Sequence, residues 1–305
     1  MRLLRTPDDR FANLPDFDYE PRYTNIPDPL GGMIRVAYVE AGPADGAPVL
    51  LLHGEPSWSF LYRKMLPVLA AAGLRAIAPD LVGFGRSDKP GDLSDHSYAR
   101  HVEWIRALVF DALDLREVTL VGQDWGGLIG LRLVAEHPGR FAGVVAANTG
   151  LPTGDSDMPK VWWAFREAVE KVQVLDVGRS VRAGCKRGLS VDVRAAYDAP
   201  FPNEMYKAGP RAMPRLVPTR PDDPASEANR AAWLTLTELD IPFLCAFSDS
   251  DPITGPMGPI LQRSMKGAAG LDHPTISDAG HFLQEDAGEE LAEIVARFVR
   301  GRRRS

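Results

Sequence analysis

The stretch VGQDWGG, residues 121–127, lies at the junction of a predicted strand and a predicted helix. The apolar run EVTLVGQ (117–123) is typical of a strand buried on both faces, and GGLIGLRLVAEHP after it has helical periodicity. Asp124 stands at the turn between Gly122 and Gly126, whose lack of a side chain permits a tight, strained backbone. This is the arrangement of a nucleophile elbow, with a carboxylate in place of the usual serine. Taken alone, Asp124 also fits an ordinary helix N-cap.

Outward from this elbow, short apolar runs alternate with helical patterns, which predicts a parallel sheet with helical crossovers. Strands are predicted at residues 47–53, 74–79, 117–123, 142–148, 242–251 and 273–281. MIRVAYVEAG (33–42) alternates like an antiparallel edge strand. The predicted fold class is therefore α/β, with a doubly wound, mostly parallel sheet.

The alternation of strands and helices stops between residues 151 and 232. There the chain is rich in Pro, Trp, Met and charge and shows helical patches without a convincing strand. We therefore predict a sheet core built from residues 1–150 and 233–305, with residues 151–232 as an inserted helical cap. Such a cap is expected to cover an apolar pocket.

Two further residues favour a catalytic interpretation of Asp124. Asp251 ends the strand predicted at 242–251 and His281 follows the last strand, so the chain order is nucleophile, acid, histidine. Each lies at the carboxyl end of a strand, where open α/β sheets place their sites. Asp249 is the rival for the acid, but Asp251, in DPITGP, is preferred because the loop after it would carry the acid beyond the strand.

Two backbone N–H groups are expected to form an oxyanion hole. One belongs to Trp125, directly after Asp124. The other belongs to Glu55 in HGEP (53–56), the loop after the first core strand, although this loop also fits an ordinary Gly-Pro turn.

Composition and charge exclude several other classes of protein. The net charge is −6 and the basic residues are scattered, so no nucleic-acid partner is expected. The N-terminal sequence lacks the apolar core of a secretory signal and no apolar run is long enough to span a bilayer, which favours a cytoplasmic enzyme without membrane contact. Cys185 and Cys245 form neither a disulfide framework nor a metal-ligand pattern. No metal-ligand spacing argues for a metal elsewhere in the sequence, and no organic cofactor is expected.

Six segments resemble the haloalkane dehalogenases of the α/β-hydrolase superfamily, in order over nearly the whole chain. They are HGEPSWSFLYR, APDLVGFGRSDKP, VGQDWGG, AAYDAPFP, DPITGP and AGHFLQED. The resemblance implies Asp124 as nucleophile, His281 as base and Asp251 as the acid partner. It also implies that Trp125 binds halide. One branch of that family carries its acid after the preceding core strand, but here that position is Asn148, which cannot serve as a carboxylate.

The resemblance further implies a second halide-binding tryptophan in the cap. KVWWAF offers Trp162 and Trp163, and the spacing to Phe165 favours Trp162 while leaving Trp163 open. Either residue could instead only pack the cap onto the core.

An aspartate suits this chemistry because a carboxylate is already anionic at neutral pH and can attack an sp3 carbon directly. Halide leaves without protonation, so the site needs hydrogen-bond donors, and an indole N–H is a donor only. The expected reaction forms an alkyl ester on Asp124, which water activated by His281 then hydrolyses. The expected partners are a small halogenated hydrocarbon, water and a halide ion, with the protein acting as a monomer or weak homo-oligomer.

Three alternative functions remain open from the sequence. Epoxide hydrolases share the elbow and the ester chemistry but need an acid at the leaving alkoxide, usually cap tyrosines, for which Tyr197 and Tyr206 are candidates. A fluoroacetate dehalogenase would need a basic clamp for the substrate carboxylate, which the sequence does not locate. A non-catalytic receptor would use the same pocket to hold a ligand.

Overall fold

The computed structural model describes residues 1–302, with a seven-stranded sheet at its centre. The strands are β1 (Leu3–Leu4), β2 (Arg22–Pro27), β3 (Met33–Ala41), β4 (Ala47–Leu52), β5 (Leu74–Pro79), β6 (Lys89–Pro90), β7 (Val118–Gln123), β8 (Phe141–Ala147), β9 (Phe243–Cys245), β10 (Phe247–Ser248) and β11 (Thr275–Ile276). The helices are α1 (Met65–Ala71), α2 (Tyr98–Arg106), α3 (Trp125–Glu136), α4 (Lys160–Lys171), α5 (Val177–Ala183), α6 (Val191–Asp198), α7 (Ala208–Leu216), α8 (Ser226–Glu238), α9 (Met257–Ser264) and α10 (Leu283–Arg302).

The central sheet has the strand order β2-β3-β5-β4-β7-β8-β9. Its pairs β5–β4, β4–β7, β7–β8 and β8–β9 are parallel, which confirms the predicted mostly parallel α/β sheet. The central strands are buried because helices cover them: α1 packs with α10, and α3 packs with both α2 and α8. Leu50, Leu51 and Leu52 of β4 are fully buried. Burial of each such side chain contributes about 1.5–3 kcal/mol.

The prediction of an edge strand at 33–42 is wrong in one respect. β3 is antiparallel to its neighbours, but it lies between β2 and β5, and β2 forms the edge. The sequence RYTNIP of β2 gives little signal because most of its residues are exposed and it ends in Pro27. The predicted strand at 273–281 is also shorter than expected, since only Thr275 and Ile276 pair, in parallel with β10.

Helices α4–α8 lie between β8 and β9 in the chain, and α8 continues to Glu238, across the predicted cap boundary at residue 232. The domain boundaries themselves stay predictions.

A buried cluster connects α6 to the sheet core. In it, the Tyr197 hydroxyl and the Arg63 guanidinium both donate to the carboxylate of Glu285 at the start of α10. Since Arg63 and Glu285 are both buried, their charges are shielded from water.

Replacing Glu285 with alanine is expected to lower the free energy of unfolding by about 3–5 kcal/mol, because the change leaves the Arg63 charge buried without its anion. Urea denaturation measures the loss. The matched control is Glu167→Ala, which breaks the exposed pair between Glu167 and Lys171 and should change the free energy of unfolding far less, because water screens both charges. Equal losses in the two variants would contradict a structural role for the buried cluster.

Within residues 1–302, no helix is both long and apolar enough to cross a membrane. Cys185 and Cys245 are both free thiols.

Candidate active site

The elbow places Asp124 in a strained backbone conformation between β7 and α3. Its φ is 50° and its ψ is −125°, a left-handed geometry that non-glycine residues rarely adopt. The turn is held by the hydroxyl of Thr149, which donates to the carbonyl oxygen of Asp124 at 2.7 Å. Glycine is required at Gly126, because a Cβ there would lie 1.9 Å from the carbonyl oxygen of Leu52. This turn places the Asp124 carboxylate at the edge of the sheet where the parallel strands end.

The two oxygens of the Asp124 carboxylate face different partners. Oδ1 accepts a hydrogen bond from the backbone N–H of Glu55 at 2.8 Å. Oδ2 lies 3.5 Å from Nε2 of His281. Trp125 begins α3 with its N–H at the positive end of the helix dipole, and this N–H makes no hydrogen bond within residues 1–302. Of the two predicted oxyanion donors, the structure thus brings Glu55 directly to the carboxylate.

His281 and Asp251 form a close pair. Nδ1–H of His281 donates to Oδ2 of Asp251 at 2.9 Å, and the Asp251 side chain is completely buried. Burial raises the pKa of Asp251, but the positive charge and hydrogen bond of His281, with further donors from Ile253 and Thr254, lower it to about 2. Burial lowers the pKa of His281, whereas Asp251 and Asp124 together raise it to about 10. The pair therefore combines a fixed anion with a strongly basic imidazole.

Asp249, the rival for the acid, lies elsewhere. Its side chain is exposed and accepts hydrogen bonds from the backbone N–H groups of Asp278 and Ala279. It makes no hydrogen bond to His281. Asn148, which follows β8, contacts the backbone of His281: its side-chain amide donates to the carbonyl oxygen of that residue at 3.1 Å.

A cavity of about 820 Å³ opens above Asp124 and His281, between the core and α4–α8. Its wall is mainly apolar and includes Leu128, Leu151, Trp162, Phe165, Val217 and Ile253. Trp125 also lines it, whereas Trp163 does not. Trp162 is only 5% exposed and Trp163 is 44% exposed, so the two adjacent residues point in different directions from α4.

Apart from that of the exposed Trp163, the indole N–H groups fall into two sets. Those of Trp58, Trp104 and Trp233 each donate to a protein oxygen. Those of Trp125 and Trp162 have no acceptor within residues 1–302, although both rings are buried in the cavity wall. An indole N–H can only donate, so these two groups remain available to a bound anion.

Tyr197 and Tyr206, the candidate acids of an epoxide hydrolase, do not line the cavity. Tyr197 is fully buried and its hydroxyl donates to Glu285.

Two site residues have roles in the structure that the sequence analysis missed. The side chain of Glu55 lines the cavity, and burial together with the nearby Asp124 charge raises its pKa well above the usual range, which favours the neutral form of this carboxyl. Gln123 lies directly beneath the elbow and its amide contacts His281. The only signal in the sequence was the position of Gln123 immediately before Asp124.

No group of three or more His, Cys, Asp or Glu side chains in residues 1–302 is arranged to hold a metal ion.

Comparison with known proteins agrees with this geometry. Residues 47–288 match the family model of the alpha/beta hydrolase fold. The chain is 53% identical to a haloalkane dehalogenase of Psychrobacter cryohalolentis, over 98% of each chain. It is 51% identical to haloalkane dehalogenase 1 of Mycobacterium tuberculosis, over 96% of this chain and 97% of that one. The chain belongs to the haloalkane dehalogenase family.

A solved structure shows that the likeness to this family extends to the whole fold. Haloalkane dehalogenase DpaA from Paraglaciecola agarilytica NO2, described as tetrameric, superposes with a TM-score of 0.88 at 37% identity, covering 96% of this chain and 97% of that one. The α/β-hydrolase fold and the family expected from the sequence are thereby confirmed.

Proposed function

We propose that the protein hydrolyses haloalkanes to an alcohol, a halide ion and a proton through a covalent ester on Asp124. The observation that carries this proposal is the arrangement around one carboxylate. One oxygen accepts from a backbone N–H, and the other faces His281. Trp125 and Trp162, whose indole N–H groups have no acceptor within residues 1–302, line the same cavity. Haloalkane dehalogenation is the activity named for the close relatives.

In the first half-reaction, Oδ2 of Asp124 attacks the carbon that carries the halogen, and the carbon–halogen bond breaks as the carbon–oxygen bond forms. The N–H groups of Trp125 and Trp162 donate to the departing halide as its negative charge develops. Such donors accelerate the reaction because they are already oriented in a site that excludes water. No proton transfer is needed in this step.

In the second half-reaction, Nε2 of His281 takes a proton from water, which attacks the ester carbonyl carbon. Negative charge then develops on Oδ1, which lies 2.8 Å from the N–H of Glu55. The N–H of Trp125 supplies the second donor to this oxyanion. Asp251 stabilises the imidazolium that forms, as the acid partner of a triad does. When the intermediate collapses, the bond between the carbonyl carbon and the alkyl oxygen breaks and the leaving alcohol takes the proton from His281. The carboxylic acid that remains on Asp124 loses its proton to solvent, which restores the carboxylate.

The apolar cavity supports a substrate that is itself apolar. Its volume of about 820 Å³ exceeds what a two-carbon haloalkane occupies. The expected substrate class therefore includes haloalkanes with longer chains or rings as well as 1,2-dibromoethane. The proposed partners are this halogenated hydrocarbon, water and halide.

Replacing Trp125 or Trp162 with phenylalanine is expected to slow halide release from 1,2-dibromoethane by about 10²-fold in each variant, because each change removes one donor to the halide. The variants should also bind bromide more weakly, which quenching of the remaining tryptophan fluorescence measures. Trp163→Phe is the matched control on the same helix and should stay within a few-fold of the native rate. A Trp162→Phe variant as active as this control would contradict the proposed halide site.

Epoxide hydrolysis lacks support in this geometry, because the tyrosines that would protonate the alkoxide lie outside the cavity. The cytoplasmic location and the monomeric or weakly oligomeric state inferred from the sequence stay predictions.

A further inference from the structure

Gln123 is the last residue of β7 and is completely buried beneath the elbow. It does not line the cavity, so it does not contact a bound substrate. Its Nε2 lies 3.2 Å from Nε2 of His281 and donates to the backbone carbonyl oxygen of the same residue at 3.2 Å. Gln123 is therefore in contact with the atom of His281 that must accept the proton of water.

The orientation of this amide is fixed by the carbonyl oxygen of His281. A carbonyl oxygen only accepts hydrogen bonds, so the Gln123 atom beside it must be the NH₂ group. The opposite atom, Oε1, is buried and has no hydrogen-bond partner within residues 1–302. An unsatisfied buried acceptor is costly, and such exceptions call for an explanation. Rotating the amide would place Oε1 against the carbonyl oxygen of His281. Two facing acceptors repel each other, so this orientation is less favourable than one that leaves Oε1 without a partner.

The fixed NH₂ group acts on the protonation of the imidazole. An N–H donor at 3.2 Å favours a lone pair on Nε2 and opposes a proton there. Nδ1–H is already committed to Asp251. We propose that Gln123 is a positioning residue that holds the neutral imidazole of His281 with its lone pair on Nε2, the form that acts as base in ester hydrolysis. This inference rests on the proposed role of His281.

Other titratable groups interact with His281 or line the same cavity. Asp251, from the loop after β10, and Asp124, from the elbow, are anions that favour the protonated ring. For Glu55, from the loop after β4, burial and the charge of Asp124 raise the pKa of the carboxyl, which favours its neutral form. Cys185, which follows α5, is also neutral because burial raises the pKa of its thiol.

The electrostatic effects of Asp124 and Gln123 on the protonation of Nε2 change during the reaction. Before alkylation, the carboxylate of Asp124 lies 3.5 Å from Nε2 and opposes the effect of Gln123. Esterification removes that negative charge, whereas the amide of Gln123 remains. Gln123 should therefore matter for hydrolysis of the ester and have little influence on its formation.

The test uses Gln123→Met, which keeps the length of the side chain and removes the donor. Single-turnover reactions with 1,2-dibromoethane are followed across pH, with halide release reporting alkylation and alcohol release reporting ester hydrolysis. Hydrolysis requires neutral His281, so its rate falls as the pH drops below the pKa of this residue. We expect the midpoint of that fall to move up by about one pH unit in the variant, the shift equivalent to losing one ordinary hydrogen bond. Halide release should keep the native rate.

The matched control is Gln284→Met, which removes another buried glutamine that makes no hydrogen bond to His281. It should leave the midpoint unchanged. A Gln123→Met variant with a lower hydrolysis rate at every pH and the native midpoint would overturn the inference, because it would indicate a purely structural role.

A second measurement does not depend on the folding of the Gln123 variant. In Asp124→Ala, which removes the same negative charge as esterification, ¹⁵N NMR of the histidine side chains reports the form of His281 directly. We expect a neutral ring at pH 8 with the proton on Nδ1 and the lone pair on Nε2. An imidazolium, or a proton on Nε2, would contradict the role of Gln123. Ester trapping by a His281 variant tests the underlying base separately, so the two failures are distinguishable.

Discussion

Replacing Asp124 with asparagine is expected to lower halide release from 1,2-dibromoethane by roughly 10⁴–10⁶-fold, the range seen when a catalytic nucleophile is removed. Asparagine keeps the shape of the side chain and tolerates the positive φ of 50° at this position. What it lacks is the negative charge that attacks carbon. Halide-selective detection over several hours measures the remaining rate.

Two companion variants make this result decisive. Asp124→Ala excludes recovery of activity by hydrolysis of the introduced amide back to a carboxylate. Asp249→Asn removes an exposed carboxylate near the sheet edge that does not contact His281, and should keep activity within a few-fold of the native protein. Rapid halide release from both Asp124 variants would contradict a nucleophilic role for this residue.

Replacing His281 with glutamine is expected to leave the first half-reaction working and to stop the second. The glutamine amide can still donate to Asp251, so the buried carboxylate keeps a partner. One equivalent of halide should be released per protein, followed by turnover slower by about 10⁴-fold or more. The intact protein should then carry the mass of one bromoethyl group, located by proteolysis on the peptide that contains Asp124.

The control for this variant is His137→Gln, since His137 follows α3 and packs on Phe110, away from the cavity. It should release halide and alcohol in equal amounts, like the native protein. Continuous alcohol production by His281→Gln without a trapped ester would contradict the role of His281 as base. A trapped ester would also exclude a simple receptor, because a ligand held without chemistry gives no halide.

The fold was largely predictable from the sequence because its central strands are long, apolar and buried on both faces. The elbow was predictable for a local reason: a residue forced into a positive φ between close-packed elements needs glycines around it, and Gly122 and Gly126 flank Asp124. β2 escaped prediction because an exposed edge strand lacks a buried face to pattern its sequence.

The details of the site were harder to predict from the sequence, for two physical reasons. Adjacent residues on a helix point about 100° apart. The choice between Trp162 and Trp163 therefore depends on how α4 is rotated against the core, which no local pattern reveals. The contact between Gln123 and His281 joins residues that are distant in sequence, and it exists only once β7 and the loop before α10 are packed together.

The most direct test of the account is a single turnover in H₂¹⁸O with the protein in excess over 1,2-dibromoethane. If Asp124 is the nucleophile, the alcohol oxygen comes from its carboxylate. The first turnover should then give unlabelled alcohol, while ¹⁸O appears in the peptide that contains Asp124. Labelled alcohol in the first turnover, with no ¹⁸O in that peptide, would mean that water attacks the substrate directly and would contradict the covalent mechanism.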